Sequence, residues 1–221
     1  MENCINAHGG WCCWESHNAV TLTIETLAGP LITWKGVHRW LARAQAVVVE
    51  AKAQRAHFLA EEGQPHAATY QRGAVTIDEQ AYHAHRIHLC NKPMWSRWSH
   101  ADTVYFFGYA LVTYLSVPFI LPELELLQFE SSRRAFTVRF PETMDTHCPV
   151  QTFHFDETGL LYRHDYTAEV VGGWAKGSHF TENYTGVQGL QVAQQRRVGW
   201  RIAGRPTRMP VLRARLMPAS A

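Results

Sequence analysis

The longest uncharged run in the chain, VYFFGYALVTYLSVPFIL from Val104 to Leu121, is apolar on every side of a helix and so has to be enclosed. Ser99 and Asp102 just before it stand at capping-box spacing, in which the Asp102 N–H donates to the Ser99 hydroxyl and the Asp102 carboxylate accepts from the Ser99 N–H. That spacing predicts a helix start at Ser99. Pro118 has no N–H and disfavours helical backbone at Val117, so the helix ends between Leu115 and Val117. Val104, Phe107, Leu111 and Leu115 take one side, and Phe106, Tyr109, Ala110 and Tyr114 cover others, which leaves too small a polar face for a surface helix. A membrane span needs about 20 apolar residues. This run is slightly short, carries Pro118 and several tyrosines, and is flanked by strand-like sequence. The expectation is a core helix wrapped by a sheet, with no stable membrane insertion.

A chain of 221 residues can bury a substantial core as one domain, residues 1–221, without disulfide or metal staples. Its net charge of +2 exerts no overall pull toward nucleic acid or a membrane surface. Five cysteines (Cys4, Cys12, Cys13, Cys90 and Cys148) cannot all pair within the chain. The opening MENCINAHGGWCCW shows neither a basic stretch nor a clean apolar one of secretory type, and the expected location is a reducing cytoplasm. Thirteen histidines and eight tryptophans combine ring faces with polar edges, which suits a pocket for an aromatic or conjugated ligand.

Along the chain, residues 1–16 read as a short helix interrupted at Gly9 and Gly10. Val20, Leu22 and Ile24 then alternate with Thr21, Thr23 and Glu25 as a half-buried strand. Pro30 to Arg43 reads as irregular or partly helical. Ala44 to Ala60 fits one long strand or two strands bent in the middle, Gly63 to His66 a turn, and Thr69 to Glu79 a strand pair broken at Gly73. After the apolar helix, strand patterns return at Leu124 to Phe129, Ala135 to Phe140, Gln151 to Asp156, Leu160 to Val171, His179 to Tyr184, Leu190 to Ile202 and Val211 to Met217. Asp156-Glu157-Thr158-Gly159 is a hairpin signal. Short strands joined by hairpin turns, with helices only near the start and middle, predict a mainly β (α+β) fold. Its form is a strongly curved antiparallel sheet, or half-barrel, around the central helix.

Three segments carry a family resemblance. They are Ala7-His8-Gly9-Gly10 ahead of Trp14; the Tyr105-Phe106-Phe107-Gly108-Tyr109-Ala110 helix ending in Tyr114-Leu115-Ser116-Val117-Pro118-Phe119; and F-x-F-D-x-x-G-L-L-x-R-H-D-Y from Phe153 to Tyr166. With them the chain resembles a group of uncharacterised bacterial proteins that are similar in outline to the half-barrel superfamily of periplasmic lipoprotein carriers. The resemblance implies a curved sheet holding an apolar ligand against helices, and no established catalytic residue. The fold so implied also resembles that of cytosolic natural-product enzymes that work in a half-barrel without a cofactor.

Period two across Leu160 to Val170 places Leu160, Tyr162, His164, Tyr166, Ala168 and Val170 on one face, the more apolar, and points it inward. His164 would then lie between two tyrosines, where an imidazole with a pKa of about 6.5 can move a proton either way. The plainer alternative is a core histidine satisfied by tyrosine hydroxyls. Arg163 and Asp165 fall on the other face, as a solvated pair. In Tyr82 to Cys90, His83 and His85 would share a strand face opposite His88 and Cys90, a poor spacing for zinc, so a strand or loop at the cavity rim is expected. Cys148 follows His147, which leaves a Cys/His nucleophile as a weak option beside simple packing. Trp174, bracketed by Gly172, Gly173 and Gly177, reads as a lid over the pocket or as a plain hairpin connection. The arginines from Arg196 to Arg215, at strand spacing, read mostly as a solvated outer face, with nucleic acid disfavoured.

No dinucleotide fingerprint, phosphate loop or G-x-S-x-G appears, so an enzyme here works without cofactor or metal. The expected function is to bind an apolar or aromatic small molecule and convert it by proton transfer, in isomerisation, cyclisation or dehydration. His164, Tyr166 and Tyr162 are the acid/base candidates. Tyr105, Tyr109, Tyr114, Phe107, Trp174 and His179 are the ligand-binding ones. The competing class is a non-catalytic carrier or sensor of a lipophilic molecule.

Overall fold

The computed structural model describes residues 1–41, 45–60, 67–83 and 85–219. Helices α1 (Glu2–Ala7) and α2 (Gly10–Ser16) break at Gly9, which takes a positive φ of 116°. A Cβ there would meet the Gly189 carbonyl oxygen at 2.5 Å, so only glycine lets this elbow dock on the sheet. β1 (Val20–Ala28) buries Val20, Leu22 and Ile24 and leaves Thr21 and Thr23 half-buried, the expected alternation. α3 (Pro30–Lys35) begins on Pro30, whose missing N–H has no partner to lose in a first turn.

The segment after it resolves into two antiparallel strands, β2 (Gln45–Glu50) and β3 (Arg55–Phe58). β4 (Ala68–Gln71) and β5 (Ala74–Ile77) pair around Gly73, and β6 (Gln80–Tyr82) adds the edge. The turn expected at Gly63 to His66 lies outside the described residues.

The expected strand or loop after Tyr82 is instead a helix, α4 (His85–Cys90). His85 and Leu89, four apart on one face, are both buried, and the His85 ring meets Asp102 at 2.8 Å. That partner comes from another helix, so nothing in the local pattern could show it.

α5 (His100–Ser116) is the enclosed helix. Its capping box is present: Asp102 N donates to Ser99 Oγ at 3.2 Å and Ser99 N to Asp102 Oδ2 at 2.7 Å. From Ala101 to Ser116 every residue is buried except half-buried Tyr114, and the helix caps at Val117, ahead of Pro118. No helix among the described residues is long and apolar enough to cross a membrane.

Seven more strands follow: β7 (Glu125–Glu130), β8 (Ala135–Arg139), β9 (Val150–Phe155), β10 (Leu161–Thr167), β11 (Lys176–Val187), β12 (Leu190–Ile202) and β13 (Arg205–Pro218). The β9–β10 turn forms where expected, with Asp156 Oδ1 accepting from the Thr158 and Leu160 N–H groups. β10 is shorter than its apolar pattern, because the backbone turns after Thr167 and both Val171 and Gly172 N–H groups donate to the Ala168 carbonyl.

All neighbouring strands pair antiparallel in one 13-stranded sheet, ordered β6-β5-β4-β3-β2-β1-β13-β12-β11-β10-β9-β8-β7. α5 packs on β2 to β5, while its other side faces residues of β10 to β13. In a flat sheet β4 and β11 would stand about 29 Å apart at about 4.8 Å per strand. A helix is only about 10–12 Å across, so the sheet has to curl around it. The main core lies inside this curve, and a second cluster of Phe136, Phe140, Phe153, Phe155 and Leu161 fills the β7–β10 end.

Candidate ligand cavity

Each residue of α5 is turned by about 100° from the last, so Tyr114 points roughly 180° away from Tyr105. The three helix tyrosines therefore do not share a ligand face, contrary to expectation. Tyr105 donates to Asp145 Oδ1 at 2.7 Å and packs edge-on to Tyr70, on the side of the helix away from Tyr114. Tyr109 is fully buried beside Tyr105. Phe107, Ala110, Leu111 and Tyr114 form the opposite side, and they wall a cavity closed by the middle strands.

Ile24 and Leu27 of β1, Leu212 and Leu216 of β13, Val198 and Trp200 of β12, and Ala168 after β10 supply its apolar lining. The free space is about 50 Å³, inside a cleft of about 720 Å³ counted to its open mouth. Tyr114, Tyr166, His179 and Arg196 are the polar groups in the wall. The register explains this grouping: His164 pairs with His179 and Tyr166 with Gly177, while His179 pairs with Val198 on the next strand. Arg196, Val198 and Trp200 alternate along β12 and share its inner face.

Behind Tyr114 lies a polar layer. His147, on the loop before β9, has Tyr109 Oη 3.1 Å from Nδ1 and Tyr114 Oη 3.2 Å from Nε2. A neutral imidazole offers one donor and one acceptor, so one tyrosine donates to it and the other accepts from it. Tyr166 stacks on His147 at 3.9 Å and shares a hydrogen bond with Tyr114. His164 Nε2 meets Gln151 Oε1 at 2.5 Å, and its ring stacks on Phe153 at 4.3 Å.

Burial lowers the pKa of all three imidazoles, His147 and His179 well below the usual value and His164 to about 3. It pushes Tyr114 up to about 12, and Tyr109 and Tyr166 well above the ordinary phenol. At neutral pH the layer is thus made of uncharged donors and acceptors, and Arg196 beside it holds the charge.

Of the acid/base candidates, Tyr166 lines the cavity, while His164 is buried one layer back. Tyr162 is 38% exposed and does not join them. The pairing of β10 with β9 slips between Leu161 and Arg163, and this bulge shifts the alternation by one, so that Leu161 faces in and Tyr162 out. Of the ligand-binding candidates, Phe107, Tyr114 and His179 line the cavity and Tyr105 and Tyr109 do not. Trp174 is 50% exposed in the β10–β11 connection, 5.2 Å from the Trp200 ring, outside the wall itself.

Two polar readings are corrected. Asp165 is buried on the opposite face of β10 and is held by Arg163, Arg201, His154 and Ser178, no solvated pair. Arg196 is turned into the core and not toward solvent. Continuing period two from Val198 and Trp200 would have found it, and period two from Phe155 and Phe153 puts Gln151 on the inner face; His147 carries no such signal, since a loop has no period.

The Cys148 thiol is raised by burial, donates to the Val150 carbonyl and has His147 turned away to the tyrosines, an arrangement that does not activate it. His85 and His88 both lie against Asp102, Cys90 is exposed, and among the described residues no three His, Cys, Asp or Glu side chains converge as metal ligands.

No protein-family model and no curated protein matches the chain. Among solved structures it is similar to a LolA superfamily protein from Nitrosomonas europaea, with a TM-score of 0.46 and 12% identity over 90% of this chain and 83% of that one. It is also similar to a structure described as an outer membrane lipoprotein-sorting protein domain from Vibrio parahaemolyticus, with a TM-score of 0.38 and 8% identity over 92% of this chain and 82% of that one.

Proposed function

We propose that this chain binds a largely apolar or aromatic small molecule between α5 and β10 to β13 and moves a proton on it without a cofactor, as in an isomerisation, cyclisation or dehydration. One observation carries the reading: a cavity whose wall is hydrocarbon and aromatic except where Tyr114, Tyr166, His179 and Arg196 meet. Apolar walls supply affinity, and a few convergent polar groups set orientation. In this reading His179, uncharged and without a hydrogen-bond partner on either ring nitrogen among the described residues, is the base. Tyr166 is the donor facing the ligand, and His164 acts as a positioning residue through it. The cytoplasm is the proposed setting, supported by five free thiols.

A carrier or sensor is the second reading. It is favoured by the engagement of both His147 nitrogens with Tyr109 and Tyr114 and of His164 Nε2 with Gln151, which ties this part of the polar layer into a structural network.

Titration with the neutral fluorophore N-phenyl-1-naphthylamine tests the cavity. Saturable binding is expected, with quenching of tryptophan emission through Trp200, and roughly tenfold weaker binding in Ala214→Phe, which adds a ring to the wall. Absence of saturable binding sinks both readings. The readings separate on a ligand extracted from the purified protein and incubated with it in D2O: carbon-bound deuterium uptake that is lost in His179→Gln supports proton transfer, and unchanged mass supports the carrier.

A further inference from the structure

The polar end of the cavity holds a positive charge that no carboxylate among the described residues pairs with. Arg196 is 7% exposed, and its guanidinium lies 4.6 Å over the Tyr114 ring. Its Nε is buried without a hydrogen-bond partner among the described residues. The carboxylates around this part of the sheet are engaged: Glu182 with Arg197 at 3.4 Å, and Asp165 with Arg163 and Arg201. The Tyr114 face attracts the cation but takes none of its planar N–H donors.

His179 packs against the same tyrosine, with ring centroids 4.6 Å apart. It is 1% exposed, and both of its ring nitrogens are unpartnered among the described residues. Buried ring and guanidinium nitrogens without a partner among the described residues therefore meet on one wall of an apolar cavity, where such a group is costly and is as a rule satisfied by something.

Resting on the apolar-cavity reading above, we infer that the ligand is an acidic amphiphile, with an apolar or aromatic body against Phe107, Leu111 and Trp200 and a carboxylate held by Arg196 and by the His179 N–H. A guanidinium presents parallel N–H donors at the spacing of the two oxygens of a carboxylate. A single cation in an apolar wall balances one negative charge, which favours a carboxylate monoanion over a phosphate dianion. Burial keeps His179 uncharged, so it contributes a hydrogen bond and no second charge.

The test uses matched pairs on the purified full chain at pH 7.5, each displacing N-phenyl-1-naphthylamine: 2-naphthoate against 2-naphthalenemethanol, and decanoate against 1-decanol. In at least one pair the acid is expected to bind about tenfold or more tightly than its alcohol, and the pair that shows it tells an aromatic body from an alkyl one. Arg196→Met is expected to abolish the preference by weakening the acid alone, and Arg196→Lys to keep part of it. Equal binding of acid and alcohol in both pairs, or a preference that survives in folded Arg196→Met, overturns the inference. If Arg196→Met does not fold, the pairs on the unmodified chain decide. Should neither acid displace a probe that itself binds, the carboxylate is wrong and the apolar cavity stands; if the probe never binds, the cavity reading fails first.

Discussion

Three imidazoles share the polar layer, with ring centroids 6.1 Å apart for His147 and His164 and 6.2 Å for His164 and His179. All three stay uncharged in the fold because burial penalises the cation. In the unfolded chain they titrate near the unperturbed value of about 6.5. Below that pH the unfolded state binds protons that the folded state does not, so stability falls as pH falls through about 6.5; above it the stability is fully present. Between pH 7.5 and 5.5 each imidazole accounts for about 1.4 kcal/mol, and the three together for about 4 kcal/mol. Asp102 and Asp165 are held below the usual carboxylate range, against the cost of their burial, by hydrogen bonds from His85 and Lys92 and from His154, Arg163 and Ser178. Their contribution is lost only as pH falls below about 4, outside this window. Urea unfolding at the two pH values checks the slope, and a flat profile would mean that the imidazoles are solvated or charged in the fold.

At the level of elements, α5 was readable because its signals are local: a capping box, an apolar run and a proline. Its contact with β4 was not. A Cβ at Gly108 would overlap Cβ and ring atoms of Tyr70, so this glycine is what lets the helix lie against the strand. Both residues are enclosed, and the clash is with the Cβ and ring root of Tyr70 and not with the tip of a flexible side chain, so Gly108→Ala is expected to lower stability by about 3 kcal/mol. Thermal and urea unfolding measure it, and unchanged stability would show that α5 stands further from β4. β10 shows the reverse case, in which a sound pattern fails at one place. Alternation along Leu160 to Val170 placed His164 and Tyr166 on the inner face, but the bulge beside Arg163 turned Tyr162 outward. An extra residue in one strand shows only against its partner strand.

Over the whole molecule, the sheet is paired continuously from β6 to β7 and ends in those two strands as edges. β7 leaves Leu126, Leu127 and Phe129 exposed, while β11, β12 and β13 are long, paired on both sides and packed over the cavity. Local opening follows burial and pairing. Native-state hydrogen exchange is therefore expected to be slowest in α5 and the inner ends of β11 to β13, and faster by orders of magnitude in β6 and β7. Edge amides protected as strongly as those of β12 would indicate that another chain covers the edges.

What the sequence determined by itself was whatever a few consecutive residues can dictate. The enclosed helix follows from its composition and cap, the antiparallel strands from alternation and turn residues, and the need for a curled sheet from a helix with no polar face. The tertiary structure alone decided which side chains meet. Tyr105 and Tyr114 lie on one helix, yet only Tyr114 faces the cavity, because the sheet leaves its gap on that side. His147 comes from a loop without a period, and what Gln151 and Arg196 meet, His164 and the Tyr114 ring, lies on other elements. Backbone periodicity is short-ranged, whereas the partner of a buried polar group is set by a chain segment tens of residues away.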